Sequence, residues 1–60
     1  MKVSEAVKRG RELGLVIFQA RALGWEDDPK EHYIVNGELM TGQALVDLVV
    51  RIHNGEEVEI

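Results

Sequence analysis

The chain has 60 residues, 45 % of them apolar and 30 % charged, with a formal net charge of −4 and no cysteine. A chain this short forms one domain, residues 1–60, and buries only about 60 % of the surface its unfolded form exposes, so its core is marginal without disulfides, a metal or self-association. The cysteine count excludes disulfides and thiolate zinc sites, which leaves a homo-oligomer as the expected state. Leu, Ile, Val and Phe number 19, too many for a disordered chain. The longest apolar run, Leu15-Val16-Ile17-Phe18, falls far short of the roughly 20 residues that span a bilayer. Charge right after Met1 leaves no secretory h-region. No membrane is expected as a partner, and the cytoplasm is the default compartment.

Charge is unevenly distributed. Residues 1–22 carry five cations against two carboxylates, net +3, and residues 23–60 carry two cations against nine carboxylates, net −7. Such a dipole steers a charged partner, joins two copies head to tail, or closes on itself within one chain.

Ser4 is a candidate N-cap with Glu5 in the first turn. Val3, Ala6, Gly10, Leu13, Ile17, Ala20 and Gly24 then recur at alternating spacings of three and four, the rhythm of a helical seam. The spacing predicts a helix over 5–23, closed by Gly24 and Trp25. Gly10 and Gly14 weaken it by about 1 kcal/mol each relative to alanine and permit close approach of a neighbour. The competing reading stops the helix at Gly14 and makes residues 15–20 a buried strand, since periodicity cannot arbitrate so short an apolar run.

Asp28-Pro29-Lys30-Glu31 has helix-start chemistry. Against a helix there stands Asn36-Gly37 between β-favouring residues, the signature of a type I′ hairpin. A two-residue turn pairs Val35 with Glu38 and Tyr33 with Met40. The hairpin is the preferred reading, with Asp28-Pro29 as a turn before it. Thr41 is a candidate cap for a helix over 43–53, ended by Asn54-Gly55, with Gln43, Asp47 and Arg51 on its polar stripe and an Asp47–Arg51 pair one turn apart. Residues 56–60 alternate like a strand, with Val58 and Ile60 inward. The fold class is therefore α+β: N-terminal helix, hairpin, second helix and short C-terminal strand, with both helices on one face of a small sheet. The alternative is an all-α three-helix domain. Leu13, Ile17, Phe18, Leu45 and Val49 are the candidate oligomer interface, because the helices carry more apolar surface than three short strands cover.

Few residues carry chemistry. The hydroxyls outside Tyr33 are Ser4, near a terminus, and Thr41, a cap, and only His32 and His53 could serve as a base, so no catalytic residue is assigned and no enzyme is expected. Glu26, Asp27, Asp28, Glu31 and His32 form the densest polar cluster, but without calcium-loop spacing it reads as a solvated acidic turn; neither metal nor cofactor is assigned. Gly10 and Gly14 do not follow a strand and make no phosphate loop. Lys8, Arg9 and Arg11 are the candidate nucleic-acid contacts of a dimeric regulator, opposed by the acidic balance and by the lack of interleaved aromatics. The leading expectation is a self-associating binding protein, a regulator or inhibitor acting by occupancy. Its acidic surface of Trp25, Glu26, Asp27, Asp28 and Glu31 would engage a basic protein partner, Trp25 being the aromatic anchor.

Overall fold

In the computed structural model, which describes residues 1–25, 27 and 31–58, the chain begins with α1, Val3–Glu12. It starts directly after an extended Lys2 whose side chain makes no cap, so Ser4 lies inside the first turn and does not cap it. The helix stops eleven residues before the predicted end at residue 23, and Gly14 is the reason. Its φ of +94° lies in the left-handed region that only glycine enters freely. There its N–H reaches the Arg11 carbonyl at 3.1 Å and the Leu15 N–H reaches the Gly10 carbonyl at 2.9 Å. These two bonds are a Schellman closure, which satisfies the last carbonyls and turns the chain out of the helix.

The run after Gly14 is strand β1, Ile17–Gln19, followed by a 3-10 turn, Ala20–Leu23. The strand alternative for this run is thus correct in type, but the strand is shorter than 15–20 and is buried on one side only, with Ile17 inward and Phe18 and Gln19 exposed. The three–four rhythm continued past Glu12 only by coincidence: Ile17 and Ala20 are buried, but from a strand and a turn. Strands β2, Tyr33–Val35, and β3, Glu38–Met40, form the hairpin in the predicted register, Tyr33 opposite Met40 and Val35 opposite Glu38. Asn36 and Gly37 both take positive φ, 49° and 86°, as a type I′ turn demands. The all-helical alternative is therefore overturned. The predicted turn at Asp28-Pro29 lies outside the described residues.

The sheet is an antiparallel meander in the order β1-β2-β3, with Ile17 opposite Val35, Phe18 opposite Ile34 and Gln19 opposite Tyr33. Its third strand is supplied by β1 and not by the C-terminus. Residues 56–58 form no strand, and 59–60 lie outside the described residues. Asn36 locks β1 to the hairpin through two bonds: its Oδ1 accepts from the Val16 N–H and its own N–H donates to the Val16 carbonyl, both at 2.9 Å.

Helix α2, Gly42–His53, is capped as predicted, Thr41 Oγ1 accepting from the Ala44 N–H at 3.2 Å. It ends at Asn54-Gly55 through a second Schellman pair, Gly55 N–H to Ile52 and Glu56 N–H to Arg51, both 3.0 Å. The expected Asp47–Arg51 pair gives way to other partners. Asp47 accepts from Gln43, and Arg51 reaches Glu56 at 3.1 Å.

Both helices lie on one face of the sheet, packed against each other and against it. Ala6, Ile17, Tyr33, Val35, Leu45, Val46 and Val49 form the core between them. Burial of each large apolar side chain contributes about 1.5–3 kcal/mol. Gly10 sits where α1, β1 and α2 meet, because a Cβ there would lie 2.6 Å from Ile17 Cδ1 and 3.3 Å from Val49 Cγ2. No helix among the described residues is long and apolar enough to cross a membrane.

Candidate functional site: the open face of the sheet

Strand alternation assigns Ile17, Tyr33 and Val35 to the helix-covered face and their neighbours to the opposite one. There Phe18, Ile34 and Leu39 stand directly opposite one another across all three strands. Val16 continues the face along β1 by the same alternation. Among the described residues nothing covers this row: Phe18 is 48 % exposed, Leu39 54 % and Val16 55 %, while Ile34, flanked on both sides, is half-buried. Exposed apolar side chains scattered singly are ordinary, but a contiguous row on one flat face is not.

The row borders the aromatic predicted as a partner anchor. Trp25, 42 % exposed, stacks on His32 with ring centroids 5.1 Å apart and planes 24° from parallel. His32 is tied to the sheet by its carbonyl, which accepts from the Ala20 N–H at 2.9 Å. Trp25 therefore rests on the end of β2, partly exposed, and is not part of the core cluster. Of the acidic residues grouped with it, Asp27 and Glu31 are exposed. Glu26 and Asp28 lie outside the described residues. A small cavity of about 20 Å³ between Gln19, Arg21, Glu31 and His32 has room for about one water. Among the described residues no cluster of three histidines or carboxylates is arranged to hold a metal ion.

The predicted interface residues divide. Ile17, Leu45 and Val49 are fully enclosed by the chain's own core. They lie between the sheet and the two helices, so these three are not at the surface of a single copy. Leu13 and Phe18 remain at the surface, and only Phe18 stands on the open face. Val16, Ile34 and Leu39 were absent from the predicted set. Their signal was present, because the Val35–Glu38 register already sets Ile34 opposite Leu39, and the uninterrupted Tyr33-Ile34-Val35 reads as a strand with two apolar faces.

The basic residues are directed elsewhere. Arg9 pairs with Glu12 at 3.2 Å and lies 3.4 Å from His53 Nδ1. Arg11 donates from Nη2 to the Ile17 carbonyl at 2.9 Å. Lys8 shares with Met1, Glu5, Arg9, Glu12 and His53 an open groove of about 280 Å³ whose charges are mixed. Of the three candidate nucleic-acid contacts, Arg9 and Arg11 thus have polar partners within the chain.

The Arg11 contact has a second effect. In an antiparallel pair each residue directs its N–H and C=O to one side. Val16 and Ala20 bond towards β2, so Ile17 directs its carbonyl to the outer edge of β1, and the guanidinium occupies that edge. At the other edge, β3 is three residues long and runs straight into the Thr41 cap. Short, plugged edges resist strand addition. Comparison with protein-family models, curated proteins and solved structures finds no match to this chain.

Proposed function

We propose that the protein is a non-enzymatic binding protein, a regulator acting by occupancy, whose working surface is the open face of the sheet. The observation that carries this reading is the in-register row Phe18–Ile34–Leu39, half in water, on the face opposite the helices. An apolar, uncharged row of this kind gains by being covered, at about 25 cal/mol per Å² removed from water. It offers shape and contact but no group able to carry a bond-making step. A photoreactive residue at position 18 tests the reading in the cells that encode the protein. An adduct at position 18 far exceeding that at Asp47, on the solvent stripe of α2, is the expected result. Equal yields at the two positions would remove the proposal.

A second reading keeps the acidic surface. The Trp25–His32 stack holds an aromatic ring at the surface in the acidic segment that includes exposed Asp27 and Glu31, a combination suited to a basic protein partner. Asp27→Lys with Glu31→Lys reverses that charge and leaves the sheet face intact. Loss of a photoadduct in this variant favours the acidic surface, and retention favours the sheet.

A further inference from the structure

We infer that the occupant of the open face is a second copy of this chain, stacked sheet on sheet about a two-fold axis running along β2. The inference rests on the reading of that face as the working surface and adds the identity of what covers it.

Area is the first argument. At the exposures observed, Val16, Phe18, Ile34 and Leu39 leave roughly 300 Å² in water, and the Trp25 ring at the end of β2 adds about 100 Å². With the rim that comes under cover when two faces meet, a symmetric contact removes on the order of 1,000 Å² in total, the lower bound for a specific interface. Charge is the second argument. The row contains no ionised side chain, so two chains of net charge −4 meet there without opposing charges at the contact, and neither a basic nor an acidic partner gains from it.

Shape is the third. Across the strands the row runs aromatic, branched aliphatic, aliphatic. A two-fold along β2 lays β1 over the partner's β3, so each Phe18 ring meets a leucine and Ile34 meets its own counterpart. Stacked sheets pack about 10 Å apart with strands turned by about 30°, which sets the two-fold midway between the two β2 directions, about 15° from each. Growth of one continuous sheet through its edges is the competing arrangement, and Arg11 on the Ile17 carbonyl together with the short β3 opposes it.

The test is the mass of the full chain in solution by sedimentation equilibrium, across roughly a hundredfold range of concentration suited to a weak interface. A reversible monomer–dimer equilibrium is expected. Phe18→Glu with Leu39→Glu should weaken it by at least about tenfold while far-UV circular dichroism stays that of the wild type. The counterpart Phe18→Lys with Leu39→Lys should likewise be monomeric, and an equimolar mixture of the two variants should form a one-to-one dimer. Should either variant fail to fold, an isotope-filtered nuclear Overhauser experiment on mixed labelled wild-type chains replaces it. Within one chain Phe18 and Leu39 are two strands, about 10 Å, apart, so a cross-peak from the Phe18 ring of one copy to the Leu39 methyls of another identifies the stack. A wild type that stays monomeric throughout overturns the inference, as does a dimer untouched by the charged pairs or lacking the cross-peak. If the monomer still gives a position-18 adduct with a different protein, the open-face function stands without the second copy. If it gives no such adduct, both fall.

Discussion

Replacing Gly10 by alanine sets two effects of known size against each other. In an exposed helix interior alanine is favoured over glycine by about 1 kcal/mol. At Gly10 the added methyl would lie 2.6 Å from Ile17 Cδ1, 3.3 Å from Val49 Cγ2 and 3.4 Å from Leu15 Cδ1. The first of these is a side-chain end, which in open space would swing aside. Ile17 is only 2 % exposed and belongs to the buried core cluster, so moving its Cδ1 aside means repacking buried neighbours. Overpacking of this kind costs about 1–3 kcal/mol, and set against the gain in helix propensity the net expectation for Gly10→Ala is a loss of about 0–2 kcal/mol. For a domain of this size that is a fall in Tm of up to roughly 15 °C. The responsible atom is removable. Ile17→Val deletes Cδ1 at a cost of about 1 kcal/mol, and in that background alanine at position 10 should be neutral or stabilising. Thermal and urea unfolding of the four proteins gives the coupling, expected at about 1 kcal/mol or more in favour of the double variant. Equal effects of the alanine in both backgrounds would refute the close approach of α1 to β1.

Other outcomes follow from single contacts. Thr41→Ala removes the Oγ1 acceptor for the Ala44 N–H and should cost about 1 kcal/mol by urea unfolding, with Thr41→Ser close to wild type. Asn36→Gly keeps the turn but loses the bond to the Val16 N–H, so it should destabilise by about 1 kcal/mol, whereas Asn36→Asp retains the acceptor and most of the stability. Arg11→Ala frees the Ile17 carbonyl at the edge of β1 and should raise aggregation, measured by light scattering on mild heating, more than Arg9→Ala does. Added salt should strengthen self-association through an uncharged face on copies of like net charge, with sulfate the most effective. Salt-induced dissociation would point instead to contact between the basic and acidic halves.

The parts of the fold readable from sequence are those set by chemistry within a few residues. Asn36-Gly37 fixes the hairpin register because its two positive-φ positions admit one pairing, and Thr41 and Asn54-Gly55 mark α2 because capping is a local bond. The end of α1 was misread because two local signals conflict there. The apolar spacing runs on through Ile17 and Ala20, while Gly14 has open space around it and a conformation that side chains seldom adopt. In the folded chain the Schellman bonds and the pairing of β1 with β2 decide the matter, and the second of these depends on residues almost twenty positions away. The same long-range pairing explains the incomplete site. Phe18 could be recognised as surplus apolar surface, but its grouping with Ile34 and Leu39 requires knowing that β1 joins the hairpin on the side away from β3. Arg11 as an edge plug required the same knowledge.

Because α1 packs directly on α2, two elements about forty residues apart in sequence are neighbours in the core. The sheet has apolar side chains on both faces, Ile17, Tyr33 and Val35 on one and Phe18, Ile34 and Leu39 on the other, and the helices cover only the first. Any local opening that lifts α2 from the sheet therefore bares a second apolar face. The helix pair does more than complete the core: it decides which of two sticky faces the outside meets, and that choice lasts only as long as the contact between the helices holds.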